Sequence, residues 1–179
     1  HLLPSPRRMA EVAEEASGRR APLVLLTPYF RDSELKRTLP LFRSIPEGAE
    51  VDVAVNDWGA LRMLRGLFPW LTLSIGRLLS GQKRCPRIGG SPFLTEEGRA
   101  WHGEGIFSSP RSRGYLAAEY GVRRFHLDGL PWGRGTPMPE GGDVAGNAFF
   151  LHVPWAVVTV SDACPWIGGR SSGDIFACP

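Results

Sequence analysis

Short apolar runs alternate with segments of helical hydrophobic spacing along this chain. The runs that predict strands are PLVLLTPYF (22–30), AEVDVAVND (49–57), LTLSIGRLL (71–79), VRRFHLD (122–128) and AFFLHVPWAVVTV (148–160), the last divided at Pro154 in one interpretation. The helical segments are RRMAEVAEEA, which Gly18 ends, and residues 33–45, 58–68 and 109–120. Strands that alternate with helices predict parallel βαβ units, and continuous apolar runs are typical of strands covered on both faces.

The predicted fold class is therefore α/β, and the choice lies between an open doubly wound sheet and a β/α barrel. No GxGxxG follows the first strand, so dinucleotide binding has little support. A complete TIM-like barrel takes about 250 residues. We expect a partial or incomplete TIM-like (β/α) barrel with parallel strands in 21–179, a fragment of a longer chain truncated at its C-terminus. Residues 1–20 are expected to form a charged leader helix or tail, and Pro40 to kink or shorten the helix at 33–45. Residues 80–107 are expected to be irregular.

Charge, hydrophobicity and cysteine content bear on nucleic-acid binding, membrane insertion and the redox compartment. The net charge is +3, and arginine supplies almost all the cations because Lys36 and Lys83 are the only lysines. The scattered arginines favour a general arginine bias over a nucleic-acid patch. No run approaches eighteen apolar residues, so no membrane span is expected. An odd count of three cysteines is a poor disulfide framework, which favours a reducing compartment, the cytoplasm.

Polar residues follow the predicted strands at their carboxyl ends, where parallel α/β folds carry their working groups. In chain order they are Thr27, Asn56 and Asp57, Gly76 and Arg77, Asp128, then Ser161, Asp162 and Cys164. We expect them to converge on one edge of the sheet, with Asn56, Asp57 and Asp128 as candidate catalytic residues. Structural alternatives exist, because Asn56 or Asp57 can cap the next helix and Asp128 before Gly129 suits a turn.

A basic segment, GRLLSGQKRCPR, follows the third predicted strand. Its four cations are Arg77, Lys83, Arg84 and Arg87. The segment lacks the GxxxxGK[ST] pattern of a Walker A loop. It is interpreted either as a solvated loop or as a wall that binds an anionic substrate beside the strand ends.

The cysteines and histidines carry no hydrolase or zinc signature. Thirteen residues separate Cys164 from Cys178, without CxxC spacing. The two cysteines are either ordinary small apolar residues or half of a four-thiolate iron–sulfur site. The strand histidines His126 and His152 are predicted to be packing residues. Neither HExxH nor GxSxG occurs, although a Cys–His pair stays open.

Several segments carry a family pattern in order from about residue 23. In VAVNDWGALRMLRGLFPWLTLSIGRLL, a strand ends in Val-Asn-Asp, a helix follows, and the next strand runs into Gly-Arg-Leu-Leu. GQKRCPRI is similar to a Lys-Arg-Asp-Pro-Arg segment of one bacterial branch, and YGVRRFHLD to a Gly-Val-x-Arg-x-Glu-Leu-Asp strand. VPWAVVTVSDACPW is similar to a strand that ends in Thr-Thr-Gly-Arg-x-Cys. Together these segments resemble the collagenase-like peptidase family (family U-thirty-two) and its relatives.

The resemblance implies a β/α-barrel-like fold and, despite the family name, oxygen-independent hydroxylase chemistry on an RNA base or a quinone-like ring. It implies an iron–sulfur cluster, with Cys164 at a family cluster position and Cys178 as a candidate second metal ligand, and with the remaining ligands expected beyond Pro179. This chain departs from the pattern at three places. Cys85 stands where the bacterial branch has Asp, His126 replaces a glutamate, and Ser161-Asp162 replace Gly-Arg.

Three hypotheses about function follow. The first is an iron–sulfur hydroxylase-type enzyme, whose partner is RNA or a small aromatic substrate held by the cations of the basic segment. The second is a non-catalytic partner subunit or scaffold of a heteromeric complex. The third is a peptidase, which has the least support because no hydrolytic constellation is visible.

Overall fold

A computed structural model describes residues 3–130 and 146–153 of this chain. Five parallel strands, all in one sheet, are β1 (Leu23–Leu26), β2 (Val51–Val55), β3 (Thr72–Ile75), β4 (Arg124–Asp128) and β5 (Ala148–His152). The helices are α1 (Pro6–Gly18), α2 (Asp32–Arg43), α3 (Trp58–Leu67), α4 (Glu96–Glu104) and α5 (Pro110–Tyr120). Single 3₁₀ turns lie at Arg77–Leu79, Pro86–Ile88 and Ile106–Ser108. The α/β class with parallel strands is thereby confirmed.

The strands lie in the sheet in chain order, β1-β2-β3-β4-β5. Each connection therefore steps to the next neighbour in the same direction, whereas a doubly wound sheet reverses its order at a switch point. The sheet curls into a half-barrel. Val24 and Leu26 of one edge strand line the same cavity as Phe150 and His152 of the other edge strand, which a flat sheet would not allow. This geometry is compatible with part of a TIM-like barrel.

The hydrophobic core lies between the convex face of the sheet and the helices. In β2, Val51, Val53 and Val55 point into this core, while Asp52 and Ala54 point to the concave face, as the two-residue period of a strand requires. The buried aromatic rings of Phe107 and Phe125 lie 5.0 Å apart, and Phe149 stacks on Phe125 at 5.5 Å. Apolar packing on the convex side thus fixes which side chains face the concave side.

Helix ends follow local capping chemistry. The Ser5 hydroxyl accepts from Arg8 N at the start of α1, and the Asp57 carboxylate accepts from Ala60 N at the start of α3. Gly121, in the left-handed conformation with φ 64°, ends α5. These signals are local, so the sequence places most helices within a few residues.

Two sequence expectations differ from the structure. Helix α2 runs through Pro40, although the proline ring removes one backbone donor, and it ends at Arg43, two residues before the end of the predicted segment. The segment 80–107 was expected to be irregular, yet it contains α4. Two glycines weaken the amphipathic pattern of α4, but Thr95, whose hydroxyl accepts from Gly98 N at 3.1 Å, caps it.

Helix α1 packs on the same core as the rest of the described chain. Met9 and Ala13 are buried in that core, and α1 lies against α2. The helix predicted for the leader segment is therefore confirmed, and its apolar face belongs to the sheet domain. Within residues 3–130 and 146–153, none of the helices has the length and apolar character needed to cross a bilayer.

Replacing Leu64 by alanine should lower the free energy of unfolding by about 2–5 kcal/mol, because this fully buried side chain would leave a cavity. Leu67 lies on the same helix but is 49% exposed, so Leu67→Ala is a matched control expected to cost about 0.5 kcal/mol or less. Urea unfolding followed by circular dichroism measures both. Equal losses in the two variants would show that the buried face of α3 has been assigned wrongly.

Candidate functional site

The carboxyl ends of β1 to β4 carry polar residues that meet at one edge of the half-barrel. We call this edge the strand-end rim and define it by Thr27, Asn56, Arg77 and Asp128, together with the segment 76–84 that lies over it. Hydrogen bonds link Asn56 to Thr27, and an ion pair links Arg77 to Asp128. The structure thus brings together strand-end groups that are up to 101 positions apart in the sequence, from Thr27 to Asp128.

Asn56 joins the ends of the first three strands. Its Nδ2 donates to Thr27 O at 2.7 Å, its backbone N donates to Thr27 Oγ1 at 3.2 Å, and its Oδ1 accepts from Leu78 N at 3.0 Å. Gly76 leaves the space that this amide occupies, because a Cβ there would overlap the Asn56 side chain. Asn56 therefore fixes the path by which the chain leaves β3.

Asp128 is the centre of the rim. Its side chain is fully buried at the end of β4, where Oδ1 accepts from Arg77 Nη1 at 2.9 Å and Oδ2 accepts from Arg84 Nε. Arg84 also donates through Nη2 to Arg77 O and, at 2.8 Å, to Ser80 Oγ. Two guanidinium groups thus compensate for the desolvation of one carboxylate, which would be costly if it were unpaired.

Beyond the end of β3, the Gln82 side chain makes the hydrogen bonds to the β4 backbone that a neighbouring strand would make. Gln82 Oε1 accepts from Asp128 N at 2.9 Å, and Gln82 Nε2 donates to Asp128 O at 3.2 Å. The same Nε2 donates to Gly103 O at 3.2 Å and so ties in α4. Gln82 is 4% exposed. Sequence reasoning missed this residue, because nothing local distinguishes it from a solvated glutamine.

The other predicted site residues fall into three groups. Asp57 caps α3, which bears out the structural alternative for it, and Asp128 lies within β4 rather than in a turn. Lys83 lies in the segment over the rim and Arg87 just after it, and both side chains are exposed, whereas the Arg84 side chain is bonded to Asp128, Arg77 and Ser80. Cys164 and Cys178 lie outside the described residues, as do Ser161 and Asp162. The roles predicted for all of these residues remain predictions.

A second polar group lies on the concave face, below the rim. Ser74 Oγ is 3.2 Å from His126 Nε2, and His126 Nδ1 is 2.8 Å from His152 Nε2. We call Ser74, His126 and His152 the histidine chain. The ring of Phe150 stacks on His126 at 4.8 Å and an interplanar angle of 18°. The two histidines were predicted to be packing residues, and the structure shows that they also form a hydrogen-bonded pair.

Burial shifts the titration of both histidines. Loss of hydration, with smaller contributions from the neighbouring His152 and Arg77 and an opposing one from Asp52, lowers the pKa of His126 from 6.5 to about 4. Burial also lowers the pKa of His152, with Arg77 adding to the shift and Asp128 opposing it. Both rings are therefore neutral at pH 7.

At the foot of the concave face, a charged pair spans one intervening strand. Arg124 Nη1 donates to Asp52 Oδ2 at 3.2 Å, although these residues lie on β4 and β2. Side chains of next-nearest strands meet in this way because the sheet curls. The second oxygen of Asp52 is buried without a hydrogen-bond partner.

The described residues offer no ready ligand set for an iron–sulfur cluster. No group of three or more His, Cys, Asp or Glu side chains in residues 3–130 and 146–153 is arranged to hold a metal ion. Cys85 is an exposed free thiol. A cluster held in part by Cys164 and Cys178 stays a prediction from the resemblance.

Comparison of the chain with protein-family models, with curated proteins and with solved structures gave no match. The resemblance to the collagenase-like peptidase family therefore rests on the quoted sequence segments.

The protein should lose stability as the pH falls from about 6.5 to about 4. In this range the unfolded chain protonates His126, while the folded chain, with its His126 pKa of about 4, does not. The unfolded state then binds more protons, so the stability contribution present above pH 6.5 is progressively lost. Urea unfolding at pH 7 and pH 4.5 measures this loss in the wild type and in His126→Gln.

The difference between the two pH values should be smaller in His126→Gln than in the wild type, because glutamine does not titrate. His102→Gln, on α4 and outside the histidine chain, is the matched control and should keep the wild-type difference. An unchanged pH dependence in His126→Gln would mean that His126 does not set it.

Proposed function

We propose that this domain is part of a TIM-like β/α-barrel enzyme that binds an anionic substrate over the strand-end rim. The observation that carries the proposal is the rim itself, where a buried carboxylate, two guanidinium groups and a strand-end amide converge at the carboxyl ends of parallel strands. Substrate sites of β/α barrels occupy this end of the strands. The proposal extends the coarser finding of a curled half-barrel of five parallel strands.

Positive charge at the rim supports an anionic substrate. Arg77, whose side chain is 23% exposed, and Arg84 flank the single carboxylate of Asp128. Lys83, on the same segment, and Arg87, just after it, add two exposed cations. Guanidinium and ammonium groups suit phosphate oxygens. Arg84 donates hydrogen bonds to Asp128, Arg77 and Ser80, so it holds the segment 76–84 in place. The exposed Lys83 and Arg87 contact the substrate.

RNA is the substrate class that we favour, with modification of a base by oxygen-independent hydroxylation as the reaction. The resemblance to the hydroxylase-type relatives of the collagenase-like peptidase family supports this class, and the phosphate-compatible rim agrees with it. Asn56 and Asp128 would hold the strand ends and the segment 76–84 in position around the substrate. An iron–sulfur cluster, held through Cys164 and Cys178, would supply the redox chemistry when bound.

The alternatives gain less support. The order of atoms Ser74 Oγ, His126 Nε2 and His126 Nδ1 matches that of a hydrolytic triad. Ser74 is completely buried, however, so no peptide bond reaches its hydroxyl. Nothing specific in the described residues favours a non-catalytic partner subunit.

Removing both exposed rim cations should weaken RNA binding about tenfold at low salt and reduce the slope of log affinity against log salt by about 1–2, because two phosphate contacts are lost. The variant is Lys83→Ala/Arg87→Ala in the full chain. Fluorescence anisotropy with a fluorescein-labelled, unstructured RNA 12-mer measures the affinity.

Lys36→Ala/Arg37→Ala is the matched control, since it removes the same two residue types from the exposed side of α2. It should keep the wild-type affinity. An equal loss in both double variants would indicate binding through net charge alone, and no RNA binding by the wild type would overturn the choice of substrate class.

The full chain purified without oxygen should be brown and contain iron and sulfide, and Cys164→Ser/Cys178→Ser should lose both. Cys85→Ser is the control and should keep them, because Cys85 is not one of the predicted ligands. Iron and sulfide assays with the visible absorption spectrum provide the measurement. Colourless, iron-free wild-type protein would overturn the cluster.

A further inference from the structure

A cavity of about 510 Å³ lies on the concave face, between the two edge strands of the half-barrel. Its lining residues are Val24, Leu26, His126, Phe149, Phe150, Leu151 and His152. Apolar side chains dominate the walls, and the polar side chains among them are the two imidazoles. A volume of this size and a mainly apolar lining with few convergent polar groups are typical of small-molecule sites.

The direction of the hydrogen bonds in the histidine chain follows from burial. Ser74 is fully buried, and the one hydrogen-bond partner of its hydroxyl in the described structure is His126 Nε2. If Nε2 carried the proton, the hydroxyl proton would be left buried without an acceptor, at a cost of about 1–3 kcal/mol. We therefore assign the hydroxyl as donor and His126 Nε2 as acceptor.

This assignment determines whether the histidine chain presents a hydrogen-bond donor or an acceptor to the cavity. With Nε2 as acceptor, the neutral ring of His126 carries its proton on Nδ1 and donates it to His152 Nε2. The neutral ring of His152 then carries its own proton on Nδ1. His152 Nδ1 makes no hydrogen bond to the described residues, and the His152 ring lines the cavity. The histidine chain thus ends in a hydrogen-bond donor at the apolar cavity.

We propose that this cavity binds an uncharged, mainly apolar small molecule through an acceptor oxygen, such as a ketone carbonyl, which takes the hydrogen bond from His152 Nδ1. The apolar walls of Val24, Leu26 and Phe150 exclude a charged ligand, because they offer no group to replace its hydration. Stacking by Phe150 holds the His126 ring, and His126 holds the His152 ring. The site does not depend on the rim or on the function proposed for it.

Acetophenone and ethylbenzene test the site, because they have nearly the same shape and differ in the carbonyl. The full chain should bind acetophenone about five- to tenfold more tightly than ethylbenzene, which is the range expected for one added hydrogen bond. Titrations followed by NMR of the β1 and β5 backbone amides measure both affinities. Acetophenone should also shift the ¹⁵N resonance of His152 Nδ1, whereas ethylbenzene should not.

Two variants separate the donor from the cavity. His152→Phe should bring the ratio of the two affinities to about one, because the ring is kept and the donor is lost. Leu26→Trp should abolish binding of both probes by filling the cavity, while Leu67→Trp, at a comparably exposed leucine on α3, should leave both affinities unchanged.

The inference is overturned if the wild type binds neither probe, if it binds both equally, or if Leu26→Trp leaves the affinities unchanged. Should His152→Phe fail to fold, the His152 ¹⁵N shift in the wild type and the Leu26→Trp result still decide the matter. Tighter binding of benzoate than of acetophenone would also overturn it, because the ligand would then be anionic.

Discussion

The buried carboxylate of Asp128 constrains the functional edge of this half-barrel. A carboxylate without solvent must be compensated, and here two guanidinium groups, from Arg77 and Arg84, bind its two oxygens. Both arginines lie on the segment that leaves β3, so neutralising the charge also fastens that segment across the end of β4. Gln82 completes the attachment through the backbone of Asp128. Pairing of the Asp128 charge therefore determines how the segment 76–84 lies over the strand ends.

The same interactions show that the residues proposed for the site also hold the fold together. Asn56 and Arg84 use hydrogen bonds to hold neighbouring strand ends and the segment over them, and Asp57 caps a helix. A substrate at this edge would meet a rigid set of groups, which is the condition for precise positioning. The Lys83 and Arg87 side chains, by contrast, are exposed to solvent.

The concave face has a different chemistry from the rim. There the polar groups form a neutral hydrogen-bonded chain, Ser74 to His126 to His152, beside apolar side chains of both edge strands. Burial keeps the two imidazoles uncharged. At the rim, the buried Asp128 carboxylate stays charged because Arg77 and Arg84 pair with it. One curled sheet thereby carries two environments, paired charges at the rim and a neutral hydrogen-bonded chain on the concave face.

The sequence by itself determined the α/β class, the approximate positions of five strands and four helices, and the polar residues at the strand ends. These follow from local causes: hydrophobic period, capping residues such as Asp57, and the polar residue after each apolar run. It missed α4, whose glycines blur the period. Only the tertiary structure decided that Asp128 is shared by two arginines, that Gln82 replaces a missing strand partner, and that His126 pairs with His152. Those contacts join residues 26 to 51 positions apart, and they form because parallel pairing places β4 between β3 and β5, so that residues distant in the sequence lie side by side.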